Sequence, residues 1–178
     1  QQYLEETNIA VTYSHNNAER FISVHSLIAT ADKNSDIIMM GEIKNSAKIK
    51  EVLANVKDKI LEKGFSKIIY QSPDKDEPLI IAESSTRNSG PVYRVVHTGV
   101  VSPTESNNLR KLGGFFAGAT GDQSYSEAIS NSSIVIYECQ SWKRELVTGM
   151  QQIANSIDAS GNLAKALELL STANNEEQ

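Results

Sequence analysis

The amino-acid sequence predicts an α+β fold: a single domain, residues 1–178, in which an amphipathic helix over residues 46–63 and C-terminal helices pack on a mostly antiparallel sheet. Three observations support this prediction. The chain has 178 residues, 39% of them hydrophobic, which suits one domain with a substantial core. One segment has helical periodicity, and several short apolar segments separated by turns follow it. A helix followed by hairpins is typical of α+β folds rather than of doubly wound sheets.

The N-terminal third begins with a strand, because residues 8–14 alternate between two faces. The next stretch, 16–31, fits a helix, with Asn16 as a cap and Glu19 three residues later. Its β-branched and aromatic residues fit a strand equally well, and a hairpin is the preferred interpretation. After a polar turn, residues 37–43 are predicted to form a strand.

The segment from Ser46 to Lys63 has the spacing of one apolar helical stripe. Asn45 or Ser46 is a suitable N-cap, and Gly64 stands where a left-handed C-terminal cap is expected. Lysines dominate the outer face, which predicts a solvated surface or, alternatively, contact with an anionic partner. The stripe consists of Ile49, Val52, Leu53, Val56, Ile60 and Leu61.

The middle of the chain contains three predicted strands, at 67–71, 79–83 and 92–101, joined by polar turns. Residues 103–110 are polar and have no assigned element. A glycine-rich stretch follows at 113–121.

The C-terminal third mixes short elements. Residues 125–129 are predicted as a short helix and 133–138 as a strand. The stretch 142–157 fits a single helix or begins as the return strand of a hairpin. Residues 163–170 have the pattern of an amphipathic helix, and 172–178 form a polar tail.

Composition excludes several classes of function. The net charge of −5, with no arginine cluster, argues against nucleic-acid binding. No run of about 18 apolar residues is present, so we expect no transmembrane segment. The single cysteine, Cys139, cannot form an internal disulfide or a cysteine-based zinc site, and we expect it to be buried and inert.

The glycine-rich stretch is the first candidate for function. It lacks the Gly-Lys-Ser/Thr ending of a phosphate-binding loop. Three interpretations stay open: a flexible connector, a loop that presents Phe115 and Phe116 to a partner or a lipid surface, and a nucleotide cradle. Exposed aromatic side chains are typical of interfaces. We therefore assign Phe115, Phe116 and Trp142 as candidate binding residues.

The sequence contains no catalytic or metal-binding motif that we recognise. His15, His25 and His97 are too widely spaced for a zinc site on one element. No Gly-x-Ser-x-Gly elbow is present. We therefore expect no cofactor, no metal and no catalytic residue.

Two resemblances give the functional expectations. The segments EIKNS at 42–46, EKGF at 62–65 and SPDK at 72–75 resemble the start of the surface-exclusion lipoproteins of conjugative plasmids. This resemblance implies a bacterial envelope protein. Because the chain begins with Gln, we also expect that an upstream signal, anchor or tag has been removed.

The second resemblance is to TIR domains. IAVTYSH at 9–15 is similar to their opening strand, and SIVIY at 133–137 followed by SWKREL at 141–146 is similar to a later strand and its Trp-x-x-Glu helix. In enzymatic TIR domains this glutamate binds the ribose of NAD. The resemblance therefore implies a catalytic role for Glu145.

Two functions follow as expectations. The first is a non-enzymatic binding or assembly domain, bacterial and of the cell envelope, with a protein partner or a second copy of itself. The alternative is a TIR-like domain that cleaves NAD or binds a nucleotide.

Overall fold

The computed structural model describes residues 2–13, 18–41, 46–131 and 133–173 of the chain. Within these residues, the α-helices are α1 Gln2–Glu5, α2 Ala18–Ile28, α3 Ser46–Glu62, α4 Pro103–Leu112, α5 Asp122–Ser130, α6 Arg144–Ile157 and α7 Asn162–Leu170. The strands are β1 Thr7–Tyr13, β2 Asn34–Met40, β3 Lys67–Gln71, β4 Leu79–Glu83, β5 Val92–Gly99, β6 Phe116–Ala119, β7 Ile134–Cys139 and β8 Ser171–Ala173. A 3₁₀ turn, Ser141–Lys143, precedes α6.

These elements form an α+β domain around one eight-stranded sheet, with strand order β4-β3-β5-β2-β1-β6-β7-β8. The α+β prediction is confirmed, but the prediction of a mostly antiparallel sheet is wrong, because the sheet is mixed. Only the pairing of β3 with β4 is antiparallel among the described residues, and β4 lies at one edge. The other pairings are parallel.

The parallel arrangement follows from two helices, one that was only the second choice for its segment and one that the sequence analysis did not assign. The stretch 16–31, for which a hairpin was preferred, contains α2, and the polar stretch 103–110 lies in α4. Parallel neighbours need a crossover that carries the chain back along the sheet, usually as a helix. Helix α2 performs this crossover between β1 and β2, whereas a tight hairpin would have made them antiparallel.

Helices cover both faces of the sheet. Alternate residues of β7 belong to different clusters: Ile136 belongs to the cluster that also contains residues of α2 and α3, whereas Val135 and Tyr137 belong to the cluster that contains residues of α5 and α6. In β1, Ala10 lies in the first cluster, and its neighbours Ile9 and Val11 pack near α4 on the opposite face. The core therefore consists of two layers separated by the sheet.

The topology places one crevice at the carboxyl edge of the sheet. From β1 the chain crosses to β2 on one side, whereas β6, reached later through α4, pairs with the other side of β1. The connection from β1 therefore runs towards β2, and the connection from β6 runs the opposite way, towards β7. Ligands of open parallel sheets bind at such switch points, outside the carboxyl ends of the strands.

The two ends of the predicted tail differ. Ser171–Ala173 pairs with β7 as the edge strand β8, so the tail predicted for 172–178 begins in the sheet. Residues 174–178 of that prediction lie outside the described residues, as do 42–45 and His15.

At the end of α3, Gly64 has φ 111°, a conformation that favours glycine.

Candidate functional site

The two neighbouring phenylalanines of the glycine-rich stretch lie in different environments. Phe115 is 70% exposed, but Phe116, at the start of β6, is 7% exposed. The ring of Phe116 packs 5.5 Å from that of Phe21 and 6.0 Å from that of His25. The expectation of two exposed rings is therefore wrong for Phe116, because strand alternation turns it into the core.

The glycine-rich stretch is not a mobile connector over its whole length, because residues 116–119 form the strand β6 in the interior of the sheet. The need for glycine is clear at position 118. A Cβ atom there would lie 2.0 Å from Oγ1 of Thr12 and 2.8 Å from the ring of Phe21. Glycine thus allows β1, β6 and α2 to approach closely.

Trp142 is 75% exposed and begins an apolar stripe that continues along α6. We call this surface the α6 apolar face and define it by Trp142, Leu146, Gly149, Ile153 and Ile157. The spacing of three or four residues places these positions on one side of a helix. Ile153 is 61% exposed and Ile157 is 73% exposed, so this side faces solvent.

The composition of α6 is unusual for an exposed helix. The twelve residues from Leu146 to Ile157 contain no Asp, Glu, Lys or Arg. Of the described residues of α6, Ala154 alone is buried, while Val147 and Met150 pack partly against the sheet. Charged residues normally occupy the solvent side of a surface helix. The α6 apolar face is therefore the largest departure from this pattern that we describe on the helix, and it is a candidate contact surface.

Phe115 does not belong to the same surface. It immediately precedes β6, whereas Trp142 follows the carboxyl end of β7, and these two strands are parallel neighbours. The two aromatic residues therefore lie at opposite ends of the sheet. The structure does not bring the predicted binding residues together, and only Trp142 is part of an extended apolar surface.

A cleft of about 370 Å³ opens at the carboxyl edge, next to the switch point between β1 and β6. Arg110 of α4 occupies one wall, and its Nη1 lies 3.1 Å from Oε2 of Glu127 in α5. The same nitrogen donates to the carbonyl oxygen of Ser124 at 3.3 Å. Arg110 thus joins α4 to α5. The cleft is also lined by Tyr13, Val101, Pro103, Ser106, Asn107, Gly121 and Gln123.

Buried polar groups connect the carboxyl ends of three strands. The hydroxyl of Thr120 lies 2.8 Å from the carbonyl oxygen of Tyr13 and 3.1 Å from Oε2 of Glu138. Glu138 and Thr120 are both buried. This cluster fixes the ends of β1, β6 and β7 relative to one another.

Glu145 is exposed in the first turn of α6. A carboxylate in this position stabilises the helix N-terminus, which is an ordinary structural role. A TIR-like catalytic role would require Glu145 to lie beside the carboxyl end of β1. Strand β6 separates β1 from β7, the strand that leads to Glu145.

A second ionic contact links the starts of α5 and α6. Asp122 accepts hydrogen bonds from Nζ of Lys143 at 2.9 Å and from the hydroxyl of Tyr137 at 3.1 Å. The hydrogen bond from Lys143 is the main reason why the pKa of Asp122 is lowered. This pair anchors the 3₁₀ turn that carries Trp142, and so holds the start of the α6 apolar face in place.

The environment of the Cys139 thiol does not favour reactivity. Cys139 is buried, and burial raises the pKa of its thiol, which disfavours the nucleophilic thiolate. No cluster of three or more metal-binding side chains occurs within the described residues. Likewise, none of the helices in the described part of the chain is long and apolar enough to cross a bilayer.

In comparisons with known proteins, no family model, curated protein or solved structure matches the chain. The resemblances to surface-exclusion lipoproteins and to TIR domains therefore rest on their short sequence segments alone.

Sequence reasoning missed the α6 apolar face, although its signal was present. The uncharged run 146–157 is visible in the sequence, but the open choice between helix and hairpin for 142–157 obscured its periodicity. The cleft had no comparable signal. Its walls come from residues far apart in the chain, such as Tyr13 and Gln123, which only the parallel topology brings together.

Proposed function

We propose that this chain is a non-enzymatic binding or assembly domain and that the α6 apolar face is its contact surface. One observation carries the proposal: large apolar side chains are exposed along a helix that has no charged residue over 146–157. Exposed patches of this kind on a folded domain are typical of interaction sites.

The energetics favour a partner that covers this face. Burying one exposed isoleucine or leucine contributes about 1.5–3 kcal/mol, and a buried tryptophan is a frequent binding hot spot. Trp142, Ile153 and Ile157 are all more than half exposed. Their combined burial offsets a substantial part of the entropy lost on association.

Site-specific photo-crosslinking tests the proposal in cells that express the chain. A photoreactive aromatic residue in place of Ile153 should form covalent adducts with a protein of defined mass. The matched control is the same replacement at Gln152, which is also exposed but lies on another side of α6. Absence of adducts at Ile153, or equal adducts at both positions, would reject the α6 apolar face as a contact surface.

The proposal includes the expected bacterial envelope location, which the sequence segments at 42–46, 62–65 and 72–75 motivate. Fractionation of cells that express the full-length gene tests it. An envelope protein should accompany periplasmic or outer-membrane markers. Recovery with cytoplasmic markers would remove this part of the proposal and leave the contact surface unaffected.

A second candidate is nucleotide binding, as the TIR resemblance implied. The observation that favours it is the cleft of about 370 Å³ at the switch point of a largely parallel sheet. NAD should then raise the melting temperature in a concentration-dependent manner. Ser106→Trp, which fills the cleft from α4, should abolish this effect. No shift with the unmodified chain would exclude NAD as the ligand.

A further inference from the structure

The α6 apolar face has a glycine at its centre. Leu146 precedes Gly149 by three residues and Ile153 follows it by four, while Trp142 and Ile157 lie about one turn further out on either side. Among the residues that the structure describes, no atom outside its own helix lies within 4 Å of a Cβ built on Gly149. Glycine inside a helix is unfavourable relative to alanine, so the packing of this chain gives no reason for it.

We infer that a second copy of this chain covers the α6 apolar face, with the two α6 helices antiparallel and crossing at Gly149. This inference rests on the proposed function and names its partner. A twofold axis between Gly149 and Met150 places Leu146 of one copy against Ile153 of the other. The same axis brings Trp142 close to Ile157, so every large apolar side chain of the face meets another.

Glycine has a specific role in this arrangement. Without a Cβ atom at the crossing point, the two backbones approach closely, and the flanking leucine and isoleucine interdigitate around the contact. Small residues at a helix crossing permit such close packing. This explains why an exposed helix retains a residue that weakens it.

The helix dipoles favour the antiparallel orientation. An antiparallel pair brings the positive N-terminus of each α6 helix near the negative C-terminus of the other, whereas a parallel pair would align the two dipoles unfavourably. The charged residues Arg144, Glu145 and Asp158 lie outside the α6 apolar face and do not contribute to this choice.

The area of the face is sufficient for a homodimer. Covering Trp142, Leu146, Ile153 and Ile157 in both copies removes about 1,000 Å² of surface from water, which is the lower size of a specific interface. Because the twofold axis makes the patch self-complementary, no other surface of the chain is needed to close the assembly.

Analytical ultracentrifugation over a concentration series tests the inference. The unmodified chain should sediment as a dimer at about 100 μM. Ile153→Glu and Gly149→Ala should each weaken dimerisation at least tenfold, by adding a charge or a Cβ atom at the contact. Ile80→Glu is the matched control, because Ile80 is 51% exposed on the edge strand β4, away from α6. It should leave the dimer intact.

Disulfide crosslinking tests the orientation. Gly149→Cys should give a disulfide-linked dimer under mild oxidation, because the two copies of position 149 lie side by side next to the twofold axis. Leu146→Cys alone should not crosslink, whereas mixing Leu146→Cys with Ile153→Cys should. The native Cys139 is buried and so contributes no background.

The outcomes separate this inference from the proposed function. A chain that stays monomeric at about 100 μM would overturn the second copy as the partner, while adducts of another mass at Ile153 would still support a contact surface. A dimer that is lost on Ile80→Glu but not on Ile153→Glu would overturn the assigned face. Efficient crosslinking of Leu146→Cys alone would overturn the antiparallel crossing.

Discussion

His25 of α2 and Tyr93 of β5 are joined inside the core, with 3.0 Å between the imidazole Nδ1 and the phenol oxygen. Phe21, Phe65 and Phe116 surround this pair with aromatic rings. Burial, together with a smaller effect of the nearby ammonium of Lys63, lowers the pKa of His25 to about 4. The imidazole is therefore neutral in the folded chain at physiological pH.

We predict that stability falls as the pH decreases from about 6.5 to about 4. In this range the unfolded chain binds a proton at His25, whereas the folded chain does not, so protonation favours unfolding. The pKa difference corresponds to a loss of about 3 kcal/mol over this range. Urea denaturation at pH 7, 5.5 and 4.5 measures the slope.

The control for this prediction is the double variant His25→Phe with Tyr93→Phe, which keeps both rings and leaves no unpaired hydroxyl in the core. Its stability should depend less on pH between 6.5 and 4. If the slope of the double variant equals that of the unmodified chain, another group is responsible.

The sequence predicts the local elements better than their arrangement. Strands β3 and β4 have the predicted bounds, and α3 ends one residue before its predicted end, because alternation and an apolar stripe are local signals. Strand direction depends on the crossovers. The direction of the strands was therefore predicted incorrectly, because 16–31 was interpreted as a hairpin and α4 was not assigned.

The candidate site was predictable only in part. Trp142 was selected from the sequence as a binding residue, and the structure places it at the start of an exposed apolar stripe. Phe116 was selected by the same argument, but the register of β6 turns it inward. The difference depends on which face of the sheet a residue occupies, and a stretch rich in glycine carries little information about that.

Two glycines should respond in opposite ways to alanine. Gly118→Ala should destabilise the chain by about 3 kcal/mol or more, because the new Cβ overlaps Thr12 and Phe21 in a closely packed core. Gly149→Ala should stabilise the isolated chain by about 0.5–1 kcal/mol, because it raises helix propensity where no neighbour interferes. Denaturation at low protein concentration measures both changes, and effects of the same sign would contradict the assigned environments.

The apolar stripe of α3 provides a prediction about the core. Leu53 is fully buried, so Leu53→Asp should prevent stable folding, because an unpaired buried charge costs several kcal/mol. Val56→Asp should cost less, because Val56 is partly exposed. Circular dichroism and thermal melts distinguish the two.

The control on the same helix is Asn55→Asp. Asn55 is exposed, so this substitution should change stability by about 0.5 kcal/mol or less. A loss comparable to that of Leu53→Asp would show that charge on α3, rather than burial of Leu53, determines the effect.

Trp142 provides a spectroscopic test of self-association, because it is the only tryptophan of the chain. In a dilute monomer its indole is 75% exposed, so its fluorescence should be readily quenched by acrylamide. If a second copy covers the α6 apolar face, raising the protein concentration should shift the emission to shorter wavelength and reduce quenching, because the indole leaves water. Ile153→Glu should abolish this concentration dependence without changing the dilute spectrum. Emission that stays red-shifted at concentrations where ultracentrifugation finds a dimer would place the interface elsewhere on the chain.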